Sequence, residues 1–318
     1  MQKKSLVSVV IPSYNRADTV GQTIEGILAQ KVDADIEIVI GDDCSTDNAW
    51  EVLEQYRQKY PDIIRLFQRE QNMGLGANWA QCVKDCRGEF ICNCDNDDYW
   101  HNPNKLQLQL DHMRQHPECN ICITNHRTHN RTTDEIKECK AWIDRSMPLQ
   151  KAFFNGHVSI CNATIMYRAE FLKKHLPLDD FIRYRFYLQD WTAWIILSAY
   201  TDMDILPYST ATFGIETVSI TRPDTYEQLQ NRMDKELGCY KYCCEMFPEL
   251  GFDEAGWYSY VNHLLLILAY RRGEYSYASK YAKMVGGHSL KTVCARTRLS
   301  FQLYCILNRI KGRLSWKR

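Results

Sequence analysis

LVSVVIP, residues 6–12, is a continuous run of apolar, mostly β-branched residues. Such a run is typical of a strand that is buried on both faces of a parallel sheet. After a turn at SYNRAD, apolar residues recur at helical spacing at Val20, Ile24 and Ile27. The order of strand and then helix is the beginning of a βαβ unit, so this stretch predicts an α/β fold.

The alternation of strand and helix patterns continues through the first hundred residues. Strand-like runs follow at IEIVIG (36–41), IIRLF (63–67) and EFICNC (89–94). Four such repeats predict a Rossmann-like, mostly parallel sheet flanked by helices, and ligands of such sheets bind outside the carboxyl ends of the strands. The regularity loosens from residue 106, and the pattern beyond Pro223 is helical.

The composition and the apolar runs exclude several classes of protein. The chain has 318 residues and 45% hydrophobic content, which predicts a globular protein. Its longest apolar runs, at 194–200 and 264–270, are far shorter than the roughly 18 residues of a membrane span. No small-residue cleavage site follows the first apolar run, so no signal peptide is predicted and we expect a cytoplasmic protein.

The charge distribution sets the end of the chain apart. The net charge is zero, yet no Asp or Glu follows Glu274, while ten Lys or Arg residues do. Apolar residues alternate with these charges over 293–314, a pattern that predicts an interfacial helix on an anionic membrane surface. The alternative is a solvated helix that packs on the acidic remainder of the chain. Nucleic acid is not expected as a partner, because the sequence has no basic platform with interleaved aromatic residues.

The cysteines give no strong metal signal. Cys119 and Cys122 have His126 and His129 nearby, but the second CxxC of a zinc ribbon is missing and CNICIT is typical of a strand. We therefore predict mostly reduced, buried cysteines and no zinc ribbon.

Polar residues follow three of the four predicted strands. They are Ser13, Tyr14 and Asn15 after the first strand, Asp42 and Asp43 after the second, and Asp95, Asp97 and Asp98 after the fourth. Since parallel strands end at the same edge of a sheet, these groups are expected to converge on one crevice.

The chemistry of these residues favours a nucleotide and a divalent cation. An Asp-x-Asp at a strand end suits Mn²⁺ or Mg²⁺, which prefers oxygen ligands and can screen a diphosphate. Tyr14 and the backbone near Pro12 offer a flat surface for a base, and Asp43 offers an acceptor for a ring N–H. Asp42 has an alternative role as the cap of the next helix. No P-loop is present, and Gly74 and Gly76 do not form a dinucleotide fingerprint, so hydride transfer is disfavoured.

Four ordered motifs resemble the N-terminal signature of the family 2 glycosyltransferases, which have the GT-A fold. The motifs are SVVIPSYNR, IEIVIGDDCSTD, NMGLGANWAQCVKDCRGEFI and CDNDDYW. The resemblance covers about the first 110 residues strongly and continues more weakly to about residue 220. It implies inverting transfer of a sugar from a nucleotide sugar, commonly a UDP-sugar, with a divalent metal.

The resemblance also implies roles for single residues. Pro12, Tyr14 and Asp43 would hold the base, Asp95 would lie near the ribose and the metal, and Asp97 would be the main metal ligand. Asn15 and Asn78 belong to the same nucleotide-binding set. The catalytic base would be Asp190 in YLQDWTAWI, where Gln189 replaces the family's Glu. The alternative for Asp190 is a capping role at the helix that follows it.

Two positions depart from the family pattern. Ala77 stands where many members have an Arg before Asn78. In the loop after the acceptor half, Glu216 lies near the position of a His that many members use for the metal or the phosphates.

The sequence therefore predicts a metal-dependent, inverting glycosyltransferase that acts on a glycan or a lipid-linked saccharide in polysaccharide synthesis. The predicted regions are a nucleotide-sugar half (1–105), an acceptor half (106–222) and a helical extension with the basic tail (223–318). The tail predicts peripheral contact with the cytoplasmic face of a membrane. The alternatives are a nucleotide-sugar-binding protein without turnover and a sugar nucleotidyltransferase.

Overall fold

The computed structural model describes residues 4–215 and 225–285, together with eight separate positions between 291 and 304. The strands are β1 (Leu6–Ser13), β2 (Asp35–Asp42), β3 (Ile64–Gln68), β4 (Phe90–Asn93), β5 (Tyr99–Trp100), β6 (Ile121–Asn130), β7 (Glu135–Cys139), β8 (Trp142–Ile143), β9 (Val158–Ser159), β10 (Met166–Arg168) and β11 (Asp204–Ile215).

The helices of the described residues are interspersed among these strands, and only helices follow β11. They are α1 (Val20–Leu28), α2 (Ala49–Lys59), α3 (Leu75–Asp85), α4 (Lys105–Gln115), α5 (Leu149–Phe154), α6 (Ala169–His175), α7 (Leu178–Tyr184), α8 (Gln189–Leu197), α9 (Tyr226–Met246), α10 (Glu254–Arg272) and α11 (Tyr275–Val285). Short 3-10 turns lie at Asn162–Thr164 and Pro248–Leu250. No helix in the described part of the chain has both the length and the apolar character of a membrane crossing.

The chain divides into two compact units. The first comprises Met1–Val218 and Gly238–Leu250, and the second comprises Ser219–Leu237 and Gly251–Arg318. The first unit carries the large sheet, whereas the described residues of the second are helical and pack around Met233, Leu266 and Ala269. The predicted α/β fold with a helical C-terminal region is confirmed. The predicted halves 1–105 and 106–222 share one sheet.

The large sheet has a parallel part and a mixed part. Its strand order is β3-β2-β1-β4-β10-β6-β11-β5, and β7 pairs with β6 beside this path. Strands β1 to β4 are parallel to one another, as predicted, whereas β10 is antiparallel to both β4 and β6. The pairs Pro12 with Gly41 and Val10 with Asn93 bring the carboxyl ends of β1, β2 and β4 to the same edge.

The core explains why the opening run of the sequence predicts the fold. Val7, Val9, Val10 and Ile11 of β1 are fully buried on both faces of the sheet. The apolar face of α1 packs against one of these faces, in a cluster that extends to β6. A strand covered on both faces needs a continuous apolar run, so the strand pattern is readable without the rest of the chain.

Candidate active site

The loop after β4 carries the three predicted carboxylates, Asp95, Asp97 and Asp98, in a tight turn. The Asp98 N–H donates to the Asp95 carbonyl at 3.0 Å. Three consecutive carbonyls of this loop accept side-chain donors from elsewhere in the chain. The bonds are Thr19 Oγ1 to Asn96 O at 2.7 Å, Arg131 Nη2 to Asp97 O at 2.9 Å and Thr23 Oγ1 to Asp98 O at 2.6 Å. The backbone of the loop is thus fixed by donors from the start of α1 and from the residue after β6.

Asp95 ends a buried chain of hydrogen bonds. Trp79 Nε1 donates to Asn93 Oδ1 at 3.0 Å, and Asn93 Nδ2 donates to Asn162 Oδ1 at 2.9 Å. Asn162 Nδ2 in turn donates to the Asp95 carboxylate, at 3.1 Å from Oδ2. Trp79 lies on α3, Asn93 on β4 and Asn162 in the 3-10 turn before β10. The orientation of Asp95 is therefore set by the protein interior.

Burial and mutual repulsion disfavour the charged form of two of these carboxylates. Burial, followed by the negative charges of Asp97 and Asp190, raises the pKa of Asp95 to about 7, although the hydrogen bond from Asn162 opposes the shift. The pKa of Asp98 lies well above its usual value, mainly because of burial and then because of the neighbouring Asp97 and Asp95. A bound cation would favour the charged forms.

Asp97 is partly exposed, whereas Asp98 is buried. The Asp97 side chain is 29% exposed, and Arg16 Nη2 lies 3.6 Å from its Oδ2, too far for a hydrogen bond. Asp95 and Asp97 thus offer carboxylate oxygens, one held by the interior and one facing solvent. The oxygen-only donor set of these two carboxylates fits a hard divalent cation.

A glycine that the sequence did not single out as a site residue supports this loop. The Gly214 N–H, near the end of β11, donates to Asp98 Oδ1 at 2.9 Å. A Cβ at Gly214 would lie 2.2 Å from the Asp97 carbonyl oxygen, a distance that no side chain tolerates. The close approach of two backbones therefore requires glycine here. Glu216, which lies near the position of a family His in the sequence, is outside the described residues.

The loops after β1 and β2 are joined to each other. The Asn15 N–H donates to Ser45 Oγ at 3.0 Å, and the Thr46 N–H donates to Asn15 Oδ1 at 2.7 Å. Asn15 and Cys44 both have positive φ, of 50° and 63°. Non-glycine residues in this region store strain and are enriched at functional sites.

The interpretation of Asp42 as a helix cap is wrong for α2. Its carboxylate accepts from Ser45 Oγ at 2.5 Å, within its own loop. Asp47 lies closer to the start of α2, and its Oδ1 accepts from the Ala49 N–H at 2.9 Å. Asp42 therefore shapes the loop, and Asp47 serves the helix.

The residues predicted to hold the base lie together at the ends of β1 and β2. Pro12 is buried on β1, and the Tyr14 ring is 46% exposed and accessible to a ligand. Asp43 is buried, and its two carboxylate oxygens accept from the N–H groups of Met73 and Gly74 at 2.7 and 2.9 Å. Each oxygen keeps a second lone pair, so the predicted contact with a ring N–H is compatible with this geometry.

The Asn78 side chain makes hydrogen bonds with the end of β2 and with Arg69. Its Nδ2 donates to the Gly41 carbonyl at 2.7 Å, and its Oδ1 accepts from Arg69 Nε at 2.9 Å. The side chain is 1% exposed. Asn78 therefore positions the end of β2, and its assignment to the nucleotide-binding set remains a prediction.

Asp190 lies in the first turn of α8 and close to the Asp-x-Asp loop. Its carboxylate accepts from the N–H of the adjacent Trp191 at 2.7 Å, but the N-cap position of α8 is Leu188, so Asp190 is not the cap of this helix. Burial raises its pKa, and its charge contributes to the raised pKa of Asp95. The indole Nε1 of Trp191 is buried without a hydrogen-bond partner among the described atoms. Asp190 thus lies within electrostatic range of Asp95.

We expect Gly214→Ala to disturb the Asp-x-Asp loop. The added Cβ must push β11 away from Asp97, which should break the bond to Asp98 and lower Mn²⁺ affinity at least tenfold by isothermal titration. Gly238→Ala is the matched control, because a Cβ at Gly238 meets nothing within 4 Å. It should leave Mn²⁺ affinity unchanged and stabilise α9 by up to about 1 kcal/mol. Equal Mn²⁺ affinity in both variants would contradict the proposed tight contact.

The pKa of Asp95 predicts a pH-dependent effect of Asp95→Asn on stability. Because this pKa is raised above its value in the unfolded chain, the protonated carboxyl stabilises the fold at low pH, and that contribution is lost as pH rises through about 7. In chelator, the variant should therefore melt at a higher temperature than the wild type at about pH 8, with a smaller difference at about pH 5.

The control for this pH series is Asp62→Asn, an exposed carboxylate in the turn before β3. It should shift the melting temperature by the same small amount at every pH. A lower melting temperature for Asp95→Asn than for the wild type at the high pH would show that its charge is already compensated in the protein.

Comparison with known proteins identifies the family. The profile described as Glycosyl transferase family 2 matches residues 8–176, more than half of the chain. Uncharacterized protein Rv1520 of Mycobacterium tuberculosis is 34% identical over 117 residues, which are 37% of this chain and 34% of that protein. The putative teichuronic acid biosynthesis glycosyltransferase TuaG of Bacillus subtilis is 36% identical over 110 residues, 35% of this chain and 42% of TuaG. The matched region thus spans less than half of either relative.

The fold has a solved counterpart. The mannosyltransferase PcManGT of Pyrobaculum calidifontis, solved with GDP-Man and Mn²⁺, superimposes with a TM-score of 0.52 at 14% identity, covering 97% of this chain and 88% of that chain. This likeness agrees with the GT-A fold that the sequence motifs imply. The ordered motifs, the sheet topology and the profile match lead to one conclusion: the chain belongs to glycosyl transferase family 2.

Proposed function

We propose that the chain transfers a sugar from a nucleotide-sugar donor, a UDP-sugar by the family resemblance, to a saccharide acceptor with inversion. The observation that carries this proposal is the placement of Asp190. It lies on α8, nearly a hundred residues from the Asp-x-Asp loop in sequence, yet its charge acts on Asp95. A candidate base and a candidate metal ligand therefore lie within electrostatic range of each other, which supports a shared site. Membership of the family supports the same reading.

The donor would occupy the edge formed by the ends of β1, β2 and β4. The exposed Tyr14 ring offers a stacking surface for the base, and Asp43 offers an acceptor beside it. Asp95 and Asp97 would hold Mn²⁺ or Mg²⁺ near the diphosphate, where the cation supplies charge stabilisation for the leaving group. The rigid loop after β4 would orient the diphosphate relative to Asp190.

Asp190 would act as the general base in a single displacement. Its carboxylate accepts the proton of the acceptor hydroxyl, while that oxygen attacks the anomeric carbon on the face opposite the diphosphate. The carbon–oxygen bond to the diphosphate breaks in the same step, which inverts the configuration. Burial raises the pKa of Asp190, and a base with a raised pKa is a better proton acceptor once it is ionised.

Two substitutions should separate catalysis from binding. Asp190→Asn should keep metal-dependent binding of the donor and lower transfer and donor hydrolysis by about 10²–10⁴-fold, because only the base is lost. Asp97→Asn should weaken Mn²⁺-dependent donor binding itself, because it removes a charged metal ligand. Thermal shift and donor hydrolysis with UDP-, GDP- and dTDP-sugars, each with Mn²⁺, Mg²⁺ or chelator, measure both effects.

The control for this pair is Asp62→Asn, which is remote from the crevice and should match the wild type in both assays. Turnover in Asp190→Asn at the wild-type rate would remove Asp190 from the mechanism. Donor binding without hydrolysis or transfer in the wild type, with a panel of acceptors, would indicate a nucleotide-sugar-binding protein that does not turn over.

The acceptor side of the proposal rests on the sequence. TuaG is named for teichuronic acid biosynthesis, and by analogy we propose a glycan or lipid-linked saccharide acceptor in polysaccharide synthesis at the cytoplasmic face of a membrane. The basic tail over 290–318, which would hold the chain at that surface, lies mostly outside the described residues. Its alternation of apolar and basic residues supports contact with anionic lipid.

Flotation with liposomes tests the role of the tail. The full chain should float with vesicles that contain anionic lipid and should remain at the bottom with neutral vesicles or at high salt, because salt screens the attraction. A chain that ends at residue 289 is the matched variant, and it should lose flotation. Equal flotation of the two chains would contradict a membrane role for residues 290–318.

A further inference from the structure

A second cluster of metal-ligating side chains lies outside the candidate active site. His112 belongs to the last turn of α4, Cys119 to the turn before β6, and Asp204 is the first residue of β11. One ligand atom from each residue lies within 4.8 Å of the other two. The cluster combines an imidazole nitrogen, a sulfur and a carboxylate oxygen.

The three side chains are in close contact. His112 Nε2 lies 2.8 Å from Asp204 Oδ2, and both side chains are partly exposed. Cys119 is only 6% exposed, and its Sγ lies 3.4 Å from the Ile121 carbonyl oxygen. The His116 ring packs on the His112 ring, with 4.5 Å between the ring centres. Because the His112 and Asp204 side chains are partly exposed, a metal ion can reach the cluster from solvent.

The topology separates this cluster from the Asp-x-Asp loop. Strand β10 is antiparallel to both β4 and β6, so β6 runs in the same direction as β4, and β11 is parallel to β6. Cys119 and Asp204 lie at the amino-terminal ends of β6 and β11, whereas Asp95 follows the carboxyl end of β4. The cluster therefore lies at the opposite edge of the sheet and is not part of the donor site.

The spacing of His and Cys residues near the end of α4 supports a metal site when Asp204 of β11 is added to them. His112, His116 and Cys119 form an H-x₃-H-x₂-C pattern at the end of α4. The CxxC pair considered from the sequence does not form a site, because Cys122 is fully buried on β6 and the side chains of His126 and His129 lie further along that strand. Asp204, which lies 85 positions after Cys119, supplies a ligand that the spacing of the cysteines and histidines did not predict.

We propose that His112, Cys119 and Asp204 bind Zn²⁺. A thiolate with an imidazole and a carboxylate favours Zn²⁺ over Mg²⁺ or Mn²⁺, which prefer oxygen ligands alone. Tetrahedral Zn²⁺ holds neighbouring ligand atoms about 3.3–3.8 Å apart, given its bond lengths of about 2.0–2.3 Å. The cluster needs only small side-chain movements to reach these separations. The fourth position is open to water or to His116.

The bound ion would join three elements of the acceptor half. It would tie the end of α4 to the beginnings of β6 and β11. The far end of β11 carries Gly214, which holds the Asp-x-Asp loop. A fixed start of β11 therefore helps to set the position of a strand that supports the candidate active site.

Cobalt titration of the reduced, metal-free full chain tests the site. Co²⁺ should bind with one equivalent that shows a thiolate-to-cobalt charge-transfer band, and Zn²⁺ should displace it. Any Co²⁺ at the Asp-x-Asp loop has oxygen ligands and lacks this band. Cys119→Ser should abolish the band, and His112→Asn should weaken the affinity at least tenfold.

Matched variants complete the test. Cys139→Ser, which removes a partly exposed cysteine on β7, should keep the band, as should Asp97→Asn. Asp204→Asn alters a half-exposed side chain that the fold can tolerate, and it should weaken Co²⁺ affinity even if Cys119→Ser does not fold. Absence of the band in the wild type, its persistence in Cys119→Ser, or unchanged affinity in Asp204→Asn would overturn the proposal.

Discussion

Repulsion between the carboxylates after β4 is the constraint on which the candidate active site depends. Two unit charges about 6 Å apart repel by about 3 kcal/mol at an effective dielectric constant of 20. Among the residues that the structure describes, no Lys or Arg forms an ion pair with Asp95. Instead the fold holds the loop by its carbonyls, with donors from Thr19, Thr23 and Arg131. The backbone geometry of the loop is thus stabilised independently of the charge state of its side chains, which leaves the carboxylates available for a ligand.

The donor edge is made rigid by strained residues that are tied to each other. Asn15 and Cys44 adopt left-handed backbone conformations at the ends of β1 and β2, at a cost of about 1–2 kcal/mol each. Asn15 donates to Ser45 and accepts from Thr46, and these two hydrogen bonds hold both loops in these backbone conformations. Asp43 extends the connection to the start of α3 through Met73 and Gly74. Three consecutive connections of the parallel sheet are therefore joined by hydrogen bonds, and the exposed Tyr14 belongs to the first of them.

Sequence reasoning succeeded where the information is local and failed where it is not. A strand buried on both faces requires a continuous apolar run, so β1, β2 and β4 were readable, and parallel strands end at one edge, so the convergence of their polar residues followed. Residues that meet only through tertiary contacts leave no periodic pattern in the sequence. Gly214 supports Asp98 from 116 positions away, and Asn162 supports Asp95 from 67. The capping role assigned to Asp42 failed because Asp47, five residues later, is better placed at the start of α2. The meeting of Cys119 with Asp204 likewise depends on the parallel pairing of β6 and β11, which no spacing in the sequence specifies.

The two carboxylates that would hold a cation differ in how firmly the protein orients their side chains. Asp95 is oriented by the chain that runs through Asn162 and Asn93 to Trp79, and every member of that chain has its partner. A cation that binds Asp95 therefore pays little of the side-chain entropy that ordering an exposed carboxylate costs. The side chain of Asp97 has fewer contacts to hold it, since it reaches solvent and its contact with Arg16 is long. A cation between the two would displace Arg16 from Asp97, because both compete for the same oxygen. Arg16 would then stand at the crevice with its positive charge uncommitted, beside the place where the phosphates of a donor would bind.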